Sequence, residues 1–279
     1  MKPFFSAFLE HKDFLPNRPW SVVPLNFPLP VITPPHYADT VEILFCDNVK
    51  GTACINSQSY PVCGKKIFFI PPKAIHSICY EKSDGYVLVV KFHPAFLNRY
   101  LNMEACLQEY GTSLAFLNRE YTDYDKLLPQ VLTLKDTDSI LEGLGAIISI
   151  LRHMVMHSAK QPRISCALPS GSTTMNPTIN RIITWTEQHF NEKITLDDVA
   201  EEFKYNKTYF CGLFKEQTGI SYLKYLNTLR ISNACKLLKT GAGISKICEL
   251  CGFENESYFI QLFKKTIGLT PKQYQKQLK

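Results

Sequence analysis

The chain has 279 residues, of which 45% are hydrophobic and 20% are charged. This composition is close to that of average globular proteins, so it excludes a disordered, fibrous or low-complexity chain. At roughly 100–200 residues per domain, the length favours two domains. The longest apolar stretch, residues 140–151, is too short and too charged to span a bilayer, and the N-terminus lacks the apolar core of a secretory signal. We therefore expect a soluble, intracellular protein with no membrane partner.

Positive charge is concentrated in the C-terminal part of the chain. The net charge is +6, and the residues from 176 onward include 15 lysines and arginines against 10 acidic residues. Such a surplus suits a polyanionic partner, although a solvated surface explains it as well. The ten cysteines are scattered along the chain, which favours reduced thiols packed in a core over a disulfide framework.

Residues 22–92 are predicted to form short strands. Runs of β-branched and aromatic residues alternate with Pro, Gly, Asn and Ser at about 8–12-residue spacing, which is typical of a β-sandwich or barrel. The clearest of these runs are residues 41–45, 67–70 and 86–92.

A long apolar helix is predicted after the strands, from about residue 138 to residue 157. Its apolar stripe is wider than one barrel face is expected to cover, so a second copy of the helix could cover the rest. We predict a homodimer through this helix. The predicted interface residues are Leu144, Ile148, Leu151 and Val155.

Residues 161–177 read as a linker, because they contain three prolines and a Ser/Gly/Thr cluster without periodicity. This places an N-terminal domain at residues 1–160 and a C-terminal domain at residues 178–279. The C-terminal domain is predicted to be entirely helical.

One sequence unit occurs twice in the C-terminal domain. The pattern Tyr-Phe-x-x-Leu-Phe-Lys begins at Tyr209 and again at Tyr258, 49 residues later, and Gly219 and Gly268 follow at the same offset. Each copy predicts a helix, a tight turn and a second helix. The sequence therefore predicts two helix-turn-helix motifs, over residues 196–217 and 244–267.

Local signals mark the ends of these helices. Thr195 and Asp198 form a capping-box pattern, and Asn206 and Asn255 can cap the second helix of each motif. Gly252 permits a positive φ in the second turn.

The C-terminal domain resembles the DNA-binding domain of the AraC/XylS family of bacterial transcription regulators. The stretches that carry the resemblance are Leu-Lys-Tyr-Leu-Asn-Thr-Leu-Arg (223–230), Ala-Cys-Lys-Leu-Leu (234–238), Ile-Ser-Lys-Ile-Cys-Glu-Leu-Cys-Gly-Phe (244–253) and Gly-Leu-Thr-Pro-Lys-Gln-Tyr (268–274). The resemblance implies a two-domain α+β protein. Its N-terminal part would be a cupin-like β-barrel with following helices, and its C-terminal all-α part would hold two helix-turn-helix motifs joined by a helix over residues 222–238.

The resemblance also implies a function. It predicts a sequence-specific regulator, an activator, that binds double-stranded promoter DNA and works with RNA polymerase in the bacterial cytoplasm. A small-molecule effector bound in the barrel would control it. No catalytic residue, metal or cofactor is expected.

The outward residues of the second helix in each motif are the expected DNA contacts. Gln261 could pair with adenine, Glu256 with cytosine, and the lysines with phosphates. The first copy offers little hydrogen bonding at the corresponding places. The full set is Lys207, Thr208, Cys211, Gly212, Lys215, Glu256, Ser257, Ile260, Gln261, Lys264 and Lys265.

The barrel carries only part of the residue set of a metal cupin. His36 and Glu42 lie six residues apart and His76 follows, but Ala38 stands where a His-x-His partner would be. We therefore disfavour metal catalysis, and these residues are either hydrogen-bonded structural groups or effector contacts. The candidate effector residues are His36, Tyr37, Glu42, Phe69, His76 and Tyr86.

Two other functions remain open from the sequence. The chain could be a ligand-independent dimeric DNA-binding protein whose barrel only dimerises, or a cupin enzyme with a DNA-binding tail. The Cys248-x-x-Cys251 pair could in principle sense redox state or bind metal. Its position on the buried face of a helix favours packing.

Overall fold

The computed structural model describes residues 18–98, 123–159 and 177–278. Within residues 18–98 and 123–159, eight strands and three helices are described. The strands are β1 (Trp20–Asn26), β2 (Val31–Ile32), β3 (Val41–Asp47), β4 (Gly51–Ile55), β5 (Gln58–Val62), β6 (Lys66–Ile70), β7 (His76–Tyr80) and β8 (Tyr86–Phe92). The helices are α1 (Pro94–Leu97), α2 (Tyr124–Asp136) and α3 (Ile140–Ala159).

The strands form two four-stranded antiparallel sheets. One has the order β1-β8-β3-β6 and the other the order β2-β7-β4-β5. The strands predicted at residues 41–45, 67–70 and 86–92 are confirmed as β3, β6 and β8. Strand pairing within the described residues does not join the two sheets into a closed ring, so the cupin-like barrel stays a prediction.

The first sheet is buried on both faces. On its inner face, residues such as Leu44 and Val89 pack against Ile78 and Tyr80 of the second sheet. On its outer face, alternate residues such as Ile43 pack against the helices. Because side chains alternate between faces along a strand, burial on both sides gives β3 its nearly continuous apolar sequence.

Helices α2 and α3 cover the outer face of the first sheet. Leu127 and Val131 of α2 and Ile147 of α3 lie in the same core cluster. The predicted helix over residues 138–157 is confirmed as α3. Helix α2 had no sequence prediction, and it continues through Pro129.

The C-terminal part is helical, as the sequence predicts, and seven helices lie within residues 177–278. They are α4 (Pro177–His189), α5 (Leu196–Glu202), α6 (Lys207–Thr218), α7 (Tyr222–Leu238), α8 (Ile244–Leu250), α9 (Glu256–Ile267) and α10 (Pro271–Gln277). The long helix predicted over residues 222–238 is confirmed as α7. No helix in the described ranges is both long enough and apolar enough to cross a membrane.

The N-terminal sheets contact both halves of the C-terminal part. Leu29, which is 3% exposed, packs into the core formed by α7 to α10, and Ile75 packs into the core formed by α4 to α7. The predicted linker at residues 161–177 lies outside the described residues, apart from Pro177.

Candidate nucleic-acid interface

The first helix-turn-helix consists of α5 and α6. The Thr195 backbone N–H donates to Asp198 Oδ2 at 2.8 Å, and the Asp198 backbone N–H donates to Thr195 Oγ1 at 3.2 Å. This confirms the predicted capping box, which satisfies backbone donors that the helix itself leaves unpaired. At the start of α6, the Asn206 side chain accepts a hydrogen bond from the Tyr209 backbone N–H at 2.8 Å, which confirms the predicted cap.

The second helix-turn-helix consists of α8 and α9. Its first helix begins after Gly243 without a side-chain cap, but its second helix repeats the cap of α6. The Asn255 side chain accepts from the Tyr258 backbone N–H at 2.8 Å, the same distance as in the first copy. Gly252 has a φ of 73°, as predicted for this turn. The capping residues therefore fix both recognition helices, α6 and α9, at equivalent points.

The described surface exposes most of the predicted DNA contacts. In α6, Cys211 is only partly exposed because it packs against the core of the first motif, and in α9 Ile260 is partly exposed for the same reason. The others are exposed: Lys207, Thr208, Gly212, Lys215, Glu256, Ser257, Gln261, Lys264 and Lys265.

Electrostatics differ between the two helix starts. Lys207 Nζ lies 2.8 Å from Asp197 Oδ2 of α5, in an ion pair whose two side chains are both more than half exposed. Glu256 takes the corresponding place in α9 and puts an acidic group in the first turn. A carboxylate there is stabilised by the helix dipole, and it can also accept a hydrogen bond from a base amine.

Two exposed tyrosines adjoin the predicted contacts. Tyr209 and Tyr258 are 53% and 49% exposed, and they occupy the same position in the two recognition helices. The repeat pattern identified both residues but gave them no role. The Tyr258 hydroxyl accepts a hydrogen bond from Asn227 Nδ2 of α7 at 3.2 Å, which links this recognition helix to the long helix.

Helix α7 belongs to both motifs. Its first half supplies Tyr222 and Tyr225 to the core of the first motif. Its second half supplies Ile231 and Cys235 to the core of the second. One continuous helix therefore carries both recognition helices.

The Cys248-x-x-Cys251 pair lies in the core of the second motif. Both thiols are buried, and burial raises the pKa of Cys251 to about 12 and also raises the pKa of Cys248. A thiol with a raised pKa has little thiolate at neutral pH, and the thiolate is the form that reacts or binds metal. The geometry supports the packing interpretation.

A polar group lies between the two sheets of the N-terminal part. His36, Glu42 and His76 are each at most 3% exposed, and Lys91 joins them. His76 Nε2 lies 3.4 Å from Glu42 Oε2, and Lys91 Nζ lies 2.9 Å from Glu42 Oε1. The two imidazole rings are 4.2 Å apart between centroids. The sequence identified the first three residues but missed Lys91, which β8 brings beside Glu42 on β3.

The charges of this group follow from its surroundings. Burial alone would raise the pKa of Glu42, but the His76 ring and the Lys91 ammonium hold it well below its usual range. Burial lowers the pKa of His36 to about 3, with help from His76. At neutral pH, Glu42 is therefore ionised and His36 is neutral. In the described ranges, no three His, Cys, Asp or Glu residues are placed to hold a metal ion.

The other three candidate effector residues lie elsewhere. Phe69 points to the opposite face of the first sheet from its neighbour Ile70, so it packs against the helices. The Tyr86 hydroxyl donates to Asp47 Oδ2 at 3.3 Å, on the helix-covered side. Tyr37 packs against the core of the first helix-turn-helix. The six residues therefore do not form one site. Alternation along strands separates Phe69 and Tyr86 from the polar group, and Tyr37 lies against the helix-turn-helix core.

The predicted dimer residues divide between the core and the surface. Leu151 is 7% exposed in the domain core, and Leu144 and Val155 pack against that core. Ile148 is 37% exposed and shares an outward helix face with Leu141 and Met156, which are 80% and 52% exposed. Only Ile148 of the four predicted residues is on this exposed face.

Comparison with known proteins also indicates a helix-turn-helix transcription regulator. A family model described as a helix-turn-helix domain matches residues 199–277. The chain is 25% identical over 274 residues to the HTH-type transcriptional activator RhaS of Escherichia coli O139:H28, with 95% of each chain covered. It is 24% identical over 243 residues to RhaS of Salmonella dublin, with 86% of each covered.

Some solved structures are similar to about a third of this chain, and others are similar to nearly all of it. The C-terminal domain of AraT, a response regulator from Geobacillus stearothermophilus, is 30% identical with a TM-score of 0.36, covering 37% of this chain and 88% of that one. ToxT from Vibrio cholerae is 19% identical with a TM-score of 0.46, covering 93% and 98%.

Two capped and exposed recognition helices on one shared helix define a DNA-binding transcription regulator. The helix-turn-helix match over residues 199–277 and the similarity to the RhaS activators support an AraC/XylS-family transcription regulator.

Proposed function

We propose that the protein is a transcription activator that binds promoter DNA through α6 and α9, recruits RNA polymerase in the cytoplasm, and responds to a small-molecule effector bound in its N-terminal part. The observation that carries the DNA-binding mode is the pair of equivalent exposed recognition helices on α7. The RhaS relatives are named activators and match over most of their length, which supports activation.

The two recognition helices enter successive major grooves on one face of the duplex. Successive grooves are separated by about 10–10.5 base pairs, or about 34–36 Å. The test is footprinting of the full chain on DNA selected from a random pool. We expect two protected patches at that spacing for each bound chain, and a single patch would refute this mode.

An effector acts through the N-terminal sheets. Support comes from the buried group of His36, Glu42, His76 and Lys91, because charged groups held between two sheets can orient a polar ligand. The contacts of Leu29 and Ile75 with the two helix-turn-helix cores provide a route to the DNA-binding part.

Thermal-shift screening of the full chain tests this proposal, with sugars, organic acids, lipids and bicarbonate as probes. We expect one class to raise the melting temperature and to change promoter footprinting. Glu42→Gln should abolish that response, while Tyr86→Phe, outside the polar group, should keep it. If no probe shifts the melting temperature or the footprint, the ligand-independent alternative is favoured.

The chain forms a homodimer through the exposed face of α3 defined by Leu141, Ile148 and Met156. Exposed apolar side chains on one helix face suit a self-complementary two-fold contact. Ile148→Glu should give a folded monomer in sedimentation. Leu151→Glu, in the core, should instead unfold the domain as measured by circular dichroism. A folded dimer of Ile148→Glu would disprove this interface.

A further inference from the structure

One arginine of α7 bridges the turn of the second motif and the segment that joins α4 to the first motif. Arg230 Nε donates to the Phe190 carbonyl oxygen at 2.8 Å, and Arg230 Nη2 donates to the Glu192 carbonyl oxygen at 2.7 Å. These carbonyls follow the C-terminal end of α4, which packs into the core of the first motif. The same guanidinium carbon lies 5.6 Å from the ring centroid of Phe253, in the turn of the second motif.

The chemistry of this contact is specific to arginine. A guanidinium offers several N–H donors in a rigid plane, so it can bind two carbonyls at its edge while its face stacks on an aromatic ring. The carbonyls beyond a helix C-terminus carry partial negative charge, which strengthens bonds to a cation. A lysine could keep the charge but not the paired geometry.

The turn of the second motif also touches the segment between α4 and α5 directly, at the same place. A Cβ atom built on Gly252 would lie 2.7 Å from the Phe190 carbonyl oxygen and 2.9 Å from Asn191. The turn of the second motif therefore packs on the segment whose carbonyls Arg230 holds. Lys193 and Glu254 add an ion pair of 3.0 Å across this junction, but both side chains are largely exposed, so its contribution is small.

We propose that Arg230 is a positioning residue that fixes the separation and rotation of α6 relative to α9, and so sets the spacing of the two half-sites in the DNA. The inference rests on the proposed binding of two successive grooves. Two weakly binding modules that are held rigidly gain affinity only when the DNA presents both half-sites at the matching distance. Loosening the contact between Arg230 and the two segments it bridges reduces this gain in affinity without altering the DNA-facing residues of α6 or α9.

The experiment uses the full chain and DNA selected from a random pool with the wild-type protein. Affinity is measured on the two-half-site duplex, on versions with one or two base pairs inserted or removed between the half-sites, and on each half-site alone. The variants are Arg230→Met, which keeps apolar contact with Phe253 but loses the donors, and Arg230→Lys. Lys193→Ala is the matched control, since it removes a positive charge and an exposed link across the same junction.

We expect wild type and Lys193→Ala to lose tenfold or more in affinity when the spacing changes by two base pairs. Arg230→Met should bind single half-sites within about threefold of wild type and lose about tenfold in affinity on the two-half-site duplex. Its affinity should also depend less than that of wild type on the number of base pairs between the half-sites, which we call the spacing profile. Arg230→Lys should fall between them.

Three results would overturn the proposal. They are an unchanged spacing profile in Arg230→Met, an equal loss on single and paired half-sites, or loss of helical circular dichroism in both variants at the assay temperature, which would indicate a role in folding alone. If wild type itself gains nothing from a second half-site, the proposed two-groove binding fails instead, and that result is visible before any variant is tested.

Discussion

The two helix-turn-helix motifs share a scaffold but differ on the surface that faces DNA. Asn206 and Asn255 cap the recognition helices in the same way, and Gly219 and Gly268 end both helices with a φ of 76° and 84°. Some exposed positions differ: Gly212 in α6 corresponds to Gln261 in α9 at the 49-residue offset. The caps of the two recognition helices are therefore the same in the two copies, while some of the solvent-facing side chains differ.

The turns of the two helix-turn-helix motifs adopt the same backbone conformation at different free-energy costs. Lys204 in the first turn and Gly252 in the second, 48 residues apart, both have positive φ, at 58° and 73°. A left-handed conformation costs a non-glycine residue roughly 1–2 kcal/mol. The first turn tolerates this because Lys204 is exposed, whereas the second turn packs against Phe190 and leaves no room for a Cβ atom.

The largest effect is expected from Gly252→Ala. The substitution combines an unfavourable φ with a contact of 2.7 Å to the Phe190 carbonyl oxygen, so the free energy of unfolding should fall by more than about 2 kcal/mol. Lys204→Ala is the matched control in the first copy and should change it by less than about 0.5 kcal/mol. Denaturant unfolding followed by circular dichroism measures both. Equal losses in the two variants would show that the turns are under the same constraint.

The next effect concerns base recognition by α9. Gln261→Ala removes an exposed amide that can pair with adenine, so it should cost roughly 1–3 kcal/mol at a single base position and relax the preference there. Binding to a panel of single-base operator variants measures this. A loss that is uniform across the panel would assign Gln261 to phosphate contact and remove the main difference between the copies.

The phosphate contacts should be alike in the two copies. Lys215 and Lys264 occupy equivalent exposed positions, so changing either to Ala should weaken binding to all DNA sequences. It should also lower the salt slope, which is the steepness with which the logarithm of the binding constant falls with the logarithm of the salt concentration, by about one. Lys82→Ala, in the N-terminal part, controls for net charge and should leave the slope unchanged. Titrations at several salt concentrations give the slopes. Unequal salt slopes for the two lysine variants would mean that one recognition helix lies farther from the DNA phosphate backbone than the other.

Local patterns were sufficient for much of the fold. Capping residues, the 49-residue repeat and helical periodicity predicted both motifs, because these signals lie within a few residues of the structure they specify. The bounds of α7 followed from the family resemblance. Helix α2 escaped prediction because Pro129 interrupts the pattern that marks a helix.

Contacts between distant parts of the chain were not predictable. Lys91 reaches Glu42 only because β8 pairs with β3, and the register of strands 49 residues apart leaves no local mark. The partners of Arg230 are backbone carbonyls, which every residue carries, so the sequence alone does not single them out. Separation of Phe69 from Glu42 likewise depends on which sheet face each occupies.

The smallest effect is expected from a substitution at Gly212, the position of the first recognition helix that has no side chain. Gly212 lies in the middle of α6, and a Cβ atom built there meets nothing within 4 Å. Glycine inside a helix is less stable than alanine by roughly 0.5–1 kcal/mol, so Gly212→Ala should raise the free energy of unfolding by about that amount. DNA affinity should change less than threefold, because glycine has no side chain that could read a base. The same preparations serve denaturant unfolding and DNA titration. A tenfold loss of affinity would contradict this expectation and show that the DNA backbone approaches α6 too closely for a methyl group, so that the first copy binds by close approach where the second binds through Gln261.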